Sequence, residues 1–291
     1  MIELTLTPFA EGLRFGEAPR WHAGRLWLSD QTGRRIYSVG EDAALRVEHE
    51  LDFQPSGLGW LADGRLLVVS MLDHRLMRED GRGGFETVAE LGAYCGGKLN
   101  DMVVDSAGHA YIGNIGFDEE SFDPSQEDFV LPSTGLVRVD PDGSHRIVAE
   151  DLACPNGMGI TQDGRTLVVG QSASPEILAF EIDARGDLSS RRVYARLPGD
   201  FGPDGLCLDA EGGVWVADPQ GRQFLRVLPG EEVTHRIDTG DRAAIACVLG
   251  GAGRRTLYAI TCWTISHSAS LTKRGGTIGT ARVDVPGAGR P

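Results

Sequence analysis

Short apolar runs with two-residue alternation recur along the whole chain. They read RLWLSD at 25–30, RLLVVS at 65–70, HAYIGN at 109–114, TLVVGQ at 166–171 and GVWVAD at 213–218. Side chains of a strand alternate between faces, so this period predicts β-strands with one face buried. Each run follows a small glycine turn, at Gly24, Gly64, Gly108, Gly164 and Gly212. A further apolar segment follows most of them: RRIYSV, HRLMRE, GLVRVD, EILAFEID and QFLRVL. Each unit thus predicts three or four antiparallel strands.

The units are copies of one phrase. It starts as GEAPRW at Gly16 and returns as PSGLGW at Pro55, LNDMVV at Leu99, PNGMGI at Pro155 and PDGLCL at Pro203. A weaker sixth copy starts at Ile245. The spacing of about 40–55 residues is that of a propeller blade. One such sheet cannot bury both faces, and six stacked radially bury one another. The expected fold is therefore all-β, a six-bladed β-propeller occupying residues 1–291 as one domain. Residues 2–9 are strand-like, as are residues 276–285. Strands from both chain ends are expected to complete one blade and close the ring.

The repeat makes one column of polar residues informative. Eight residues before the central turn glycine stand Ser56, Asn100, Asn156 and Asp204, with Glu17 beside the column in the shorter first copy. The same register means the same place in each blade. Glu17, Asn100, Asn156 and Asp204 should therefore converge at one mouth of the central channel. Two carboxylates brought together repel, and a divalent cation relieves that repulsion. An all-oxygen set favours calcium, magnesium or manganese, and zinc or iron(II) also accept it. Asn156-Gly157 and Asp204-Gly205 read equally as turn dipeptides when taken singly.

Charge and composition narrow the functional classes. Net charge is -14, from 42 acidic and 28 basic residues, which argues against nucleic-acid binding. No signal-like h-region and no membrane-length apolar run is present, so a cytoplasmic protein without a membrane partner is expected. Five cysteines without a CxxC pair argue against a disulfide framework or a zinc knuckle. No GxSxG elbow, P-loop or dinucleotide fingerprint occurs. The acidic stretch at 116–134 reads as a lid, a binding loop or a solvated loop.

The motifs GEAPRW (16–21), LNDMVVD (99–105), GNIGFD (113–118), PNGMGIT (155–161) and GPDGLCLD (202–209) resemble those of the SMP-30/gluconolactonase/LRE-like, or regucalcin-like, family. The resemblance runs through nearly the whole chain. It implies a six-bladed propeller with one catalytic divalent metal, held by Glu17, Asn156 and Asp204, with Asn100 on the substrate side. It also implies hydrolysis of a small-molecule lactone. The alternatives are cleavage of other esters or organophosphates, and a non-catalytic metal-binding module. Within that frame Asp204, Asn100 and Asp101 are the candidate catalytic residues, Asp204 as proton acceptor. Asn100, Lys98, Phe117 and Glu119 are the candidate substrate contacts. The family's sugar lactonases often carry Arg where this chain has Lys98, a point charge instead of a bidentate fork.

Overall fold

The computed structural model describes residues 1–117, 132–199 and 202–291. These residues form six sheets arranged as the blades of a β-propeller. Blade one is the run Gly16–His22, Arg25–Asp30, Arg35–Val39 and Leu45–Glu50. Blades two, three and four repeat this four-stranded meander, and their first strands are Pro55–Trp60, Leu99–Val104 and Pro155–Ile160. Blade five starts at Leu206–Leu208 and blade six at Ala243–Gly250. Each first strand contacts the first strands of both neighbouring blades, and that of blade six contacts that of blade one. The six first strands therefore ring the axis.

The N-terminal segment splits in two. Ile2–Leu4 adds in parallel to the outer strand of blade five, Val233–Asp238. Thr7–Leu13 pairs antiparallel with Gly276–Arg282 of blade six. A continuous strand over 2–9 therefore does not form; the chain crosses from one blade to the next at Thr5 and Leu6. At the other end, the tail lies across the C-terminal ends of the inner strands. The Ala288 N–H donates to the Leu208 carbonyl (3.0 Å), and the Arg290 N–H to that of Ile160 (2.8 Å).

The apolar alternation is used between blades. Six clusters of buried side chains occupy the six interfaces. Leu58 and Val68 pack against Ile36 between blades one and two, and Met158 and Leu167 against Tyr111 between three and four. Burial stabilises by roughly 25 cal/mol per Å² of apolar surface, so this arrangement holds each blade only through its neighbours. No disulfide joins any two described cysteines. No described helix is long and apolar enough to cross a membrane.

Candidate functional site

The innermost strands share one irregularity. Their ladders slip between Glu17 and Arg20, Pro55 and Leu58, Leu99 and Met102, Pro155 and Met158, and Ala244 and Ala246. In blade five the regular ladder starts only at Leu206, just after Asp204. A bulge re-aims a side chain out of the normal up-and-down alternation. Here it falls on the polar column in blades one to four, and on Ile245 in blade six, at the N-terminal end of the strand.

The glycines after the column are not turn formers. Asn156 and Gly157 lie within a strand, and neither Gly157 nor Gly205 has a positive φ. They are sites of close approach. A Cβ on Gly157 would lie 2.5 Å from the Asp204 carbonyl and the Leu206 nitrogen, and one on Gly205 2.4 Å from the Ala246 Cβ. Glycine lets neighbouring blades close in directly behind Asn156 and Asp204.

Glu17, Asn100, Asn156 and Asp204 line one cavity of about 220 Å³. Phe117 and His267 line it too. Asn156 Nδ2 donates to Asp204 Oδ1 (2.6 Å) and to Ser172 Oγ (2.9 Å), and Ser172 Oγ donates in turn to the Pro203 carbonyl (3.0 Å). With its nitrogen so engaged, Asn156 keeps its Oδ1 without a partner. Among the described residues it is the only buried side-chain oxygen in that state. The Glu17 carboxylate accepts the N–H of Ala18 (2.6 Å), and Ala18 takes a left-handed φ of 48°. A non-glycine residue there is strained, and such strain gathers at functional sites. Burial first, then the nearby Asp204 and Asp101 carboxylates, push the Glu17 pKa well above the usual carboxylate range; the Ala18 N–H and Arg20 pull it only partly back.

Other sequence expectations fall differently. Asp101 does not line the cavity. Its Oδ1 accepts from Arg20 Nη2 (2.5 Å) and from the Met102 N–H (2.8 Å), and burial still raises its pKa. Lys98 is also absent from the lining; its carbonyl accepts the N–H of Ile115, which is present there (2.9 Å). Glu119, with Asp118 and most of the 116–134 stretch, lies outside the described residues. His267 stands in the cavity wall. Its Nε2 lies 2.5 Å from Gln31 Oε1, and Gln31 Nε2 donates to Ser56 Oγ (3.1 Å). Trp263 instead joins an apolar cluster, with the Lys273 ammonium 4.2 Å from its ring centroid.

Sequence reasoning missed a second column. Gln31, Ile115, Ser172 and Pro219 each directly follow the second strand of their blade, and all four line the cavity. The signal was present in the repeat, at the residue where the alternating run stops.

Residues 15–263 match the SMP-30/gluconolactonase/LRE-like region. The chain belongs to that family. Among its relatives, regucalcin of Danio rerio is 29% identical over 64% of this chain, and the chain spans 62% of that protein's length. A pentonolactonase of Haloferax volcanii is 25% identical over 96% of this chain and 93% of its own. The crystal structure of a calcium-binding protein, regucalcin from Agrobacterium tumefaciens, superposes with a TM-score of 0.77 at 19% identity. It covers 100% of this chain and 98% of that one. At that identity the likeness shows the fold alone.

The site can be tested as a family metal site on its own donors. Among the described residues no three His, Cys, Asp or Glu side chains cluster as a metal-binding group. The donor set is instead two carboxylates and two amides. It contains a carboxylate whose pKa is raised by burial and then by neighbouring carboxylates, and an amide oxygen with no donor facing it. Both features fit a hard divalent cation, which favours ionised carboxylates and coordinates amide oxygen.

Proposed function

We propose that this chain hydrolyses a lactone at a divalent-cation site made by Glu17, Asn156 and Asp204, with Asn100 holding the substrate. The observation that carries the reading is the partnerless Asn156 Oδ1, in the same cavity as the Glu17 and Asp204 carboxylates. The lactonase name of the Haloferax volcanii relative supports the choice of a cyclic ester. The all-oxygen donor set puts calcium, zinc, manganese, magnesium and iron(II) in the test set.

A divalent cation bound here supplies Lewis acidity toward the ester carbonyl and toward water. The chain's own groups do the rest. Asn156 Nδ2 fixes the Asp204 carboxylate by its hydrogen bond, and Asp204 takes the proton of the attacking water. The Asn100 amide, 6% exposed and lining the cavity, hydrogen-bonds the substrate oxygen. Phe117 packs on the substrate ring. Asp101 is committed to Arg20 and holds the floor; it takes no proton in the reaction.

Dialysis against a chelator, followed by a pH-stat assay of a lactone panel with each cation restored singly, tests the reading. Turnover should vanish with chelation and return with at least one cation. Turnover that persists at full rate in the chelated protein refutes the cation assignment. A protein that binds the cation yet opens no lactone is a non-catalytic module.

A further inference from the structure

The cavity that would take the lactone has a marked division of chemistry. Beside the donor set, part of its wall is apolar: Phe15, Ile115, Phe117 and Ile265 line it. Phe15 and Ile115 are buried, whereas Ile265 is 51% exposed. A large aliphatic side chain half open to solvent at a cavity mouth is surface that a ligand's apolar part can cover.

Several polar groups of the wall are spent within the protein, while the exposed Gln220 stands at its edge. Gln31 uses its nitrogen on Ser56 and its oxygen on His267, and Ser172 both accepts from Asn156 and donates to Pro203. A sugar lactone brings several hydroxyls, and each one desolvated without a partner lowers affinity by roughly tenfold. No Lys or Arg is among the described lining residues. A carboxylated, sulfonated or phosphorylated lactone thus finds no counter-charge, and the chain's net charge of -14 opposes its approach.

We infer that the substrate is a neutral lactone carrying an apolar substituent, with the ring ester at the Glu17/Asn156/Asp204 end and the substituent along Phe15, Phe117 and Ile265. The inference rests on the lactonase reading above. Alkyl contact with such a wall should raise kcat/KM about fourfold per methylene, the factor that ~0.8 kcal/mol per buried CH₂ gives. The gain should stop once the chain outgrows a cavity of about 220 Å³.

The test uses the full chain with the cation that supports turnover. Unsubstituted δ-valerolactone, a series of δ-alkyl δ-lactones and glucono-δ-lactone are compared by pH-stat. The expected result is a rise of about fourfold per methylene over the first few carbons, with glucono-δ-lactone at least tenfold below the best alkyl lactone. Ile265→Asn, on an exposed side chain, should cut the ratio of alkyl to unsubstituted kcat/KM about tenfold, within the range of a hydrophobic pocket contact. Equal or better turnover of glucono-δ-lactone, or a flat response to chain length, overturns this inference and leaves the lactonase reading standing. Failure of every lactone with every cation overturns both.

Discussion

The ion pair under the site makes the sharpest prediction. Arg20 and Asp101 are 5% and 4% exposed, and the residues are 81 positions apart in sequence. Arg20 donates through Nε to the Leu58 carbonyl (2.9 Å), through Nη1 to Pro19 (2.9 Å) and through Nη2 to both Asp101 and Met102 (2.5 Å each). One guanidinium thus ties the inner strands of blades one, two and three. Removing either partner leaves a buried unpaired charge, so Arg20→Met and Asp101→Asn should each destabilise the fold by about 3–5 kcal/mol. The electrostatic effect on the cation has opposite signs. Three residues separate Arg20 from Glu17, at most about 10 Å along an extended strand. A unit charge at that distance from a divalent cation, in an effective dielectric of about 20, interacts by roughly 3 kcal/mol before screening. Asp101→Asn adds net positive charge and should weaken cation binding about 10- to 100-fold; Arg20→Met should tighten it by a similar factor. The directions agree with Asp101 raising and Arg20 lowering the Glu17 pKa. The Arg20→Met/Asp101→Leu double variant should return the cation affinity to near wild type. Calorimetric titration with calcium and with manganese, alongside urea melts, reads both quantities. If both single variants weaken cation binding, the pair is a strand clamp only and the charge argument is wrong.

Further outcomes follow from the same geometry. Glu17→Gln removes a buried carboxylate held against Asp204; it should raise the melting temperature of the chelated protein by a few degrees while abolishing the stabilisation that added cation gives, both read by thermal shift. Asp204→Asn should lower kcat by at least about 100-fold; a variant that keeps cation binding and full turnover would disprove Asp204 as the proton acceptor. Because the Glu17 pKa is raised on folding, the native state holds a proton that the unfolded chain has released. Stability of the chelated protein should therefore fall as pH rises above about 4.3, the ordinary Glu value, through the raised range, and saturating cation should flatten that slope in melts across pH. Gly157→Ala puts a Cβ at 2.5 Å from the backbone of the next blade and should cost at least about 1–3 kcal/mol in urea unfolding.

The propeller was legible because its evidence is repeated. No single run such as TLVVGQ proves a blade, but six copies in one register do, and each copy alone would leave a face exposed. The convergence of Glu17, Asn100, Asn156 and Asp204 was legible for the same reason. The bulges that aim them were not. A slip such as Pro155 to Met158 depends on how two strands pair, and pairing is not written in either strand alone. The ambiguity of Asn156-Gly157 had the same root, since only the packed neighbour shows that glycine is needed for approach and not for a turn. Asp101 looked like a base because it adjoins Asn100. Its partner, Arg20, sits inside GEAPRW, where nothing local points across 81 residues.

The asymmetry of the ring explains why the repeat gives a site at all. A six-fold symmetric column would surround the axis with one residue type and saturate any ion placed there. Here the second-blade position is Ser56, which is buried and receives Gln31, and the sixth-blade position is the apolar Ile245, between Ala244 and Ala246. Blades two and six thus supply no carboxylate or amide to the column. Through Gln31, blade two orients His267, which enters from the insertion after the second strand of blade six. The proposed ligands then fall on blades one, four and five, with Asn100 from blade three. A cation held from part of the ring keeps open positions toward the rest, which is what separates a catalytic centre from a closed structural one. Phe15, Phe117 and Ile265 line the part of the cavity proposed for the substrate. Substitutions at Gln31, which reaches Ser56 from blade one, and at Ile265, in the insertion of blade six, should change KM ratios between lactones before they change cation affinity.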